Sequence, residues 1–368
     1  MTTSNSQKFI PGRELSKLFY QKEIKPILDK HFPDLKYSAA LFGWGSETLG
    51  YDTPISRDHH WGPRVLIFLS ETDHPVFKEK IDKALSENLP YEFLGYSTNF
   101  SKAEANGVRH PIAVTSGPVN HMVNIFTTKS FFEMRLNFDP FQEISVIDWL
   151  TFPQQRLLEM VSGEVFHDGL EELNKIREKF SFYPNDVWLY LLSSQWTKIS
   201  QEEAFVGRCG DVGDELGSQI VAARIVRELM KLCFLIEKKY SPYSKWFGTA
   251  FEKLEFSKKL SPILREVLLS QSWKDREKWL SKAYENVAEI HNSLKITEPL
   301  PTTVSLYHDR PYLVIHADEF ARAIKEKIEN EDVKAIKSNI GSVDQFMDST
   351  DVLSYPQIFK KLKLWSDN

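Results

Sequence analysis

The fold is decided by one stretch, Leu41-Phe-Gly-Trp-Gly-Ser-Glu-Thr-Leu-Gly-Tyr-Asp-Thr-Pro-Ile-Ser-Arg-Asp-His-His-Trp-Gly-Pro-Arg-Val-Leu-Ile-Phe-Leu69. An apolar run, residues 37–42, stops at Gly43-Trp-Gly-Ser46. A loop carrying Gly50, Asp52 and Pro54 follows, and residues 64–69 form an almost continuous apolar run. Runs of that kind suit a strand covered on both faces. A Gly-Ser turn after a strand leaves backbone N–H groups and a hydroxyl free to meet phosphate oxygens. If residues 58–61 open the second strand, Asp58 and His60 share one face and His59 and Trp61 the other, because side chains alternate. A carboxylate there is placed to hold a divalent cation beside a triphosphate. The plainer reading is a loop in which Asp forms turns and Gly-Pro punctuates.

Working outward, a helix is expected up to about residue 32, where Leu15, Leu18, Phe19, Ile24, Ile27 and Leu28 share a face and Pro33 ends the pattern. Residues 75–89 read as an amphipathic helix, 111–115 and 121–127 as strands, and 144–149 as a further strand. From about residue 151 the period becomes helical, over 154–162, 169–180, 185–199, 214–240, 260–269 and 273–294. Glu298-Pro-Leu-Pro301 breaks it. A hairpin over 304–307 and 312–316 and a helix over 318–330 close the chain. The expected class is α+β, in three parts: a mixed-sheet head over 1–150, a helical bundle over 151–297, and a small α/β tail over 298–368 that packs on the cleft.

The 368 residues include 25 Phe, 13 Tyr and 9 Trp, enough to fill sizeable cores, so wholesale disorder is excluded. With 46 Lys+Arg against 51 Asp+Glu the net charge is −5, which argues against a globally basic nucleic-acid binder. Two cysteines, Cys209 and Cys233, make neither a disulfide framework nor a cysteine-rich zinc site. The longest apolar stretch, 229–236, is interrupted by Lys231 and too short to span a bilayer, and residues 1–20 hold no apolar run of signal-peptide length. The expectation is a protein of a reducing cytoplasm, without membrane partners.

Gly45-Ser46, a spacer, and an acidic pair opening a strand resemble the signature of the DNA polymerase beta-like nucleotidyltransferase superfamily. The longer series Gly45-Ser-Glu47, Gly50-Tyr-Asp52, Asp58-His-His-Trp-Gly-Pro-Arg64, Asp148-Trp-Leu150, Gly207-Arg208, Gly213-Asp-Glu-Leu-Gly217 and Tyr240-Ser-Pro-Tyr-Ser-Lys-Trp-Phe-Gly248 is similar to the bacterial family known as domain of unknown function 4037. That resemblance runs from about residue 35 to the tail. It implies a nucleotidyltransferase-like head and a metal-dependent transfer of a nucleoside monophosphate from an NTP, expected to be ATP, to an acceptor hydroxyl or phosphate. A small-molecule acceptor is expected over protein or RNA.

The resemblance implies Asp58, His60 and Asp148 as catalytic and metal-binding residues, with Mg or Mn as the ion, and Gly45 and Ser46 as the cradle of the triphosphate. Asp148 has an equal alternative as a helix cap. His121, Asn124 and Glu133 are weaker candidates for the third ligand, and Glu47 and Asp52 serve the acceptor or only the loop. The superfamily pattern is Asp-x-Asp, whereas this chain has Asp58-His59-His60. Imidazole suits Zn, Mn, Fe or Ni better than Mg. The substitution therefore changes the metal, leaves a single-metal site, or marks a pseudoenzyme that binds NTP without transferring it.

Arg224, Arg227 and Lys231 lie along one helical face. With Arg208, placed in a Gly-rich loop, and Lys245, they read either as a solvated face or as a basic wall that takes a triphosphate through bidentate arginine contacts. The resemblance favours Arg208, Arg224 and Lys245. Tyr240, Tyr243 and Trp246 read as core ahead of base-stacking residues. The tail motif 341–348 is placed over the cleft.

Overall fold

The computed structural model describes residues 9–57, 60–105 and 107–365. The chain forms two compact units, one from residues 1–143 and 156–181, the other from 144–155 and 182–368.

The first unit opens with α1 (Gly12–Phe19), which runs through a π turn at Tyr20–Ile24 into α2 (Lys25–His31). Then come β1 (Ser38–Leu41), the single helical turn α3 (Ser46–Leu49), β2 (Arg64–Leu69) and α4 (His74–Asn88). A two-residue hairpin, β3 (Glu92–Phe93) and β4 (Tyr96–Ser97), precedes β5 (Met122–Thr127) and α5 (Thr128–Leu136). The chain enters the second unit as α6 (Val146–Thr151) and turns back along α7 (Gln154–Val161). It then adds β6 (Glu164–Asp168) and α8 (Leu173–Lys179) to the first unit.

The sheet is mixed, in the order β5-β2-β1-β6. β2 and β5 are parallel, with Ile67 opposite Ile125, and β1 is antiparallel to both β2 and β6. All six residues of β2 are buried, as its almost continuous apolar run predicts. Val65, Ile67 and Leu69 belong to a core with Leu15, Phe19, Ile24, Leu28, Ile81 and Leu85 from the helices on that side. On the other face, Phe68 stacks on Phe42 at 5.6 Å and meets Phe131 of α5 edge-on at 5.5 Å. Thr127 caps α5 in a reciprocal pair with Ser130, which turns the chain from strand to helix without an orphaned N–H.

The second unit continues with α9 (Asn185–Ser200), α10 (Phe205–Asp211), α11 (Glu215–Ile236), α12 (Ser244–Phe251), α13 (Ser257–Leu269) and α14 (Trp273–Ser293). The hairpin β7 (Ser305–Tyr307) and β8 (Arg310–Val314) and then α15 (Ala317–Lys325) follow. α9 packs on α11 and α15. Trp196 of α9 stacks on Phe320 of α15 at 4.4 Å, and Trp188 Nε1 donates to the Leu235 carbonyl at 2.7 Å.

Five expectations change. Residues 144–149 are not a strand: Ser145 and Asp148 form a capping box that starts α6. Residues 111–115 contribute one bridge, Phe100 to Pro111, and no strand. The stretch expected as a Gly-rich loop at Arg208 is α10. β6 has no alternating pattern and reads as an interlude between helices, yet its pairing with β1 is what returns 156–181 to the first unit instead of leaving a boundary at 150. The 298–368 segment falls in the second unit with the helices.

Candidate functional site

The end of β1 is built tightly. Gly43 has φ +90 and Gly45 φ +113, a region that side chains avoid. A Cβ on Gly45 would lie 2.5 Å from Glu47 Oε2 and closer still to Arg64 Nη2. Thr48 Oγ1 donates to the carbonyls of Gly43 at 3.0 Å and Gly45 at 2.8 Å, locking the Gly-Trp-Gly-Ser turn onto α3. Gly45 is exposed and Ser46 half-buried.

Beneath the turn lies an ion pair. Arg64, the first residue of β2, is 2% exposed; its Nε donates to Glu47 Oε1 at 2.6 Å and its Nη2 to the Trp44 carbonyl. Burial pushes the Glu47 carboxyl up, and Arg64 opposes that shift. Two guanidiniums lie over the Trp44 ring, Arg64 at 5.6 Å and Arg135 at 5.5 Å from its centroid. Arg135 pairs with Glu159, as does Arg156 at 2.9 Å. Burial works to raise the Glu159 carboxyl, but the two arginines hold it below its usual range. The sequence reading did not single out Arg64, Trp44, Arg135, Arg156 or Glu159. A signal was present in Arg64, a cation opening an otherwise apolar strand.

A pocket of about 370 Å³ lies beside this pair, lined by Arg13, Glu14, Lys17, Glu47, Asp52 and Glu164 among others. Asp52 is a structural pin: its Oδ2 accepts from Gly12 N at 2.7 Å and Trp61 Nε1 at 3.0 Å, holding the start of α1 to the loop.

Of the expected catalytic residues, His60 lies in the first unit and Asp148 in the second. Asp58 and His59 lie outside the described residues. β2 begins at Arg64, and His60 sits in a bend with φ +53, its N–H donating to the Arg109 carbonyl at 3.1 Å. His60 is therefore not a residue of β2. Asp148 Oδ2 accepts from Ser145 N at 3.1 Å and Ser145 Oγ at 2.7 Å, and Lys360 Nζ is 3.6 Å from Oδ1. It is a helix cap in the second unit. His121 is also structural: its Nδ1 accepts from Val123 N at 3.2 Å, and burial lowers its pKa.

The cations of α11 are taken up within the second unit. Arg224 grips Glu202 at 3.0 and 2.5 Å, Arg227 grips Asp348 at 2.7 and 2.5 Å, and Lys231 donates to the Asp344 carbonyl at 2.9 Å. Arg208 and Lys245 are exposed on helices, Lys245 lying over the Trp246 ring at 5.1 Å. The glycines flanking Arg208 serve packing: a Cβ on Gly207 would meet Tyr312 at 2.5 Å, and one on Gly210 would collide with Trp273. Tyr240 packs edge-on against Tyr183 at 5.2 Å, as core.

Among the described residues no group of three or more His, Cys, Asp or Glu side chains is placed to hold a metal ion. Glu47 and Asp52, the acids nearest the Gly-Ser turn, already serve Arg64, Gly12 and Trp61. Also among the described residues, no helix is long and apolar enough to cross a membrane.

Fold and site together define an α+β chain in whose first unit β1, one of the two inner strands of the sheet, runs into a Gly-Ser turn over a buried Arg–Glu pair. Residues 149–247 match the model of the family described as Domain of unknown function (DUF4037), the family that the sequence motifs resemble. No curated protein matches the chain. Among solved structures, a nucleotidyltransferase-like protein from Exiguobacterium sibiricum shares 8% identity over 81% of this chain and 83% of that chain, with a TM-score of 0.30. That likeness is too loose to carry an argument.

Proposed function

We propose that the first unit binds a nucleoside triphosphate at the Gly45–Ser46 turn and that the protein transfers the nucleoside monophosphate to a small acceptor. The observation that carries this reading is the turn itself. Gly45 is held at φ +113 in the turn that follows β1, exposed, with room for backbone approach but none for a side chain. The N–H groups and the Ser46 hydroxyl would meet phosphate oxygens, and the buried Arg64–Glu47 pair would hold the turn in that shape. In the transfer an acceptor oxygen forms a bond to the α-phosphorus while the bond to the bridging oxygen breaks, and pyrophosphate leaves. Catalysis of this kind rests on positioning and charge stabilisation.

A divalent ion, Mg or Mn, would rest on Asp58 and His60, while the Asp148 carboxylate is engaged by Ser145. Among the described residues no three His, Cys, Asp or Glu side chains complete a metal site. Arg208 and Lys245 are the proposed anion contacts of the second unit; Arg224 joins them only by leaving Glu202. Labelled NTPs incubated with the protein and acceptor pools should yield pyrophosphate and a labelled acceptor, and Asp58→Ala should abolish both. Equal activity in that variant would sink the assignment.

The capping role of Asp148 favours a second reading, NTP binding without transfer. Calorimetry showing NTP binding with no pyrophosphate release across acceptors would select it. The absence of NTP binding would defeat both.

A further inference from the structure

Three guanidiniums lie around the turn that follows β1, and they share two carboxylates. Arg64 is matched by Glu47. Arg135, in the last turn of α5, and Arg156, in α7, both hold Glu159. The two arginine side chains are each 14% accessible and that of Glu159 8%. Burial lowers the Arg135 pKa; Glu159 works against that shift, and the neighbouring charges of Arg156 and Arg64 add to it. Buried charges are costly unless paired, and here one carboxylate is divided between two cations.

Arg135 is incompletely satisfied. Its Nη2 donates to Glu159 Oε2, but its Nε is shut off from solvent and has no acceptor among the described residues. A buried donor of a charged group left without a partner carries a desolvation cost. Releasing Arg135 from Glu159 would strand no acid, because Arg156 Nη1 donates to both Glu159 oxygens, at 3.3 and 2.9 Å. The Arg135 guanidinium can therefore exchange this partner for another anion without leaving a buried carboxylate alone.

The place of the cluster says which anion. Gly43 N donates to the Glu159 carbonyl at 2.9 Å, which fastens α7 to the start of the turn. The guanidiniums of Arg135 and Arg64 both lie over the Trp44 ring, and Arg64 Nη2 lies against Gly45, where a Cβ would collide with it. Gly45 is exposed, and Trp44 and Ser46 are half-buried. A cation with a shared carboxylate thus stands beside a turn whose N–H groups and hydroxyl suit phosphate oxygens. A guanidinium fork matches two oxygens of one phosphoryl group.

We propose that Arg135 is a phosphate-binding residue of the first unit: its guanidinium leaves Glu159 to Arg156 and takes, through Nε and a terminal nitrogen, two oxygens of the triphosphate seated on the Gly45–Ser46 turn. The proposal rests on the nucleotide reading of that turn and adds to it a cation from the same unit.

Calorimetry on the full chain tests it, with ATP and inorganic triphosphate as titrants. Arg135→Met should weaken both alike, each by about tenfold or more, since the contact is to the phosphates. Arg156 keeps Glu159 paired in this variant, so its circular dichroism spectrum should match the wild type. Arg135→Lys keeps the charge without the fork and should bind both titrants more weakly than the wild type; it decides the matter if the methionine variant fails to fold. ATP bound equally well by the wild type and Arg135→Met, or by the wild type and Arg135→Lys, overturns the proposal and leaves the nucleotide reading standing. A loss for ATP with none for inorganic triphosphate also overturns it, because Arg135 would then act through the shape of the turn. A wild type that binds neither titrant defeats both readings.

Discussion

Gly45 and Arg64 are the residues on which the candidate site turns, and each admits a direct test. Gly45→Ala places a Cβ at φ +113 against Arg64 and Glu47, where backbone strain alone costs of order 1–3 kcal/mol. The variant should unfold at lower denaturant and, if the turn receives phosphate, bind NTP more weakly; equal stability would show that the turn relaxes freely. Arg64→Met leaves the Glu47 carboxylate buried without its cation, which in buried pairs costs about 3–5 kcal/mol. Changing both residues to apolar ones of similar volume should recover most of that loss, and a chemical-denaturation double-mutant cycle measures the coupling. At this scale the sequence was half legible. Gly45-Ser46 stood out because a Gly-Ser turn after a strand leaves N–H groups and a hydroxyl free, but nothing local tells that Arg64 and Glu47, seventeen residues apart, meet. Pairing across a turn is a tertiary fact.

At the scale of elements, long apolar periodicities declared themselves and short capped ones did not. β2, α9, α11 and α14 were readable because each buries a continuous face. α6 was ambiguous because Ile144-Ser-Val-Ile-Asp-Trp149 is apolar enough for a strand, and only the Ser145–Asp148 spacing tips it to helix. Asp148→Ala should accordingly cost about 1 kcal/mol of second-unit stability and leave NTP affinity unchanged; a loss of affinity without a loss of stability would restore Asp148 to the site. A second device sits where α10 approaches β8. The carboxylate of Glu203, preceding α10, accepts from Ile315 N at 3.0 Å and Ala317 N at 3.2 Å, and burial pushes its pKa up to about 7. Because the folded value exceeds the unfolded one, the native state binds the extra proton. Its contribution is full below about pH 4.5 and is lost as pH rises through about 7, on the order of 3 kcal/mol in all. Asp344, raised to about 6 by burial, adds a slope of the same sign. Glu203→Gln should flatten the pH dependence of the unfolding midpoint over that window, and an unchanged slope would show that another group sets it.

For the whole molecule, net charge concealed more than it revealed. The −5 of the chain is the residue of many local cancellations, and the cations that the sequence gathers on α11 are largely answered by acids from the same unit. The acids arrive from far along the chain, Glu202 before α11 and Asp348 after it, which is why a helical wheel of α11 alone shows a basic wall. Residues 341–348 do much of this answering. Lys198 Nζ donates to the Gln345 carbonyl at 2.6 Å, and the Gln345 amide donates to the Leu191 carbonyl and to Gln195 Oε1, each at 3.0 Å. Asp344 accepts from Gln154 N at 2.8 Å, and Trp365 Nε1 reaches back to the Gly341 carbonyl at 2.9 Å. Buried donors and acceptors stripped of partners cost about 1–3 kcal/mol each, so the tail belongs to the second unit's core. Ending the chain at residue 340 should therefore lower the melting temperature of the second unit and expose apolar surface to a reporter dye, with Lys231, held down to about 8 by burial, returning toward its ordinary pKa. The sheet of the first unit, whose strands all lie before residue 169, should keep its hydrogen-exchange protection. If the shortened chain melts as the full one does, the tail is an ornament on α11, and the basic face is open to an external anion after all.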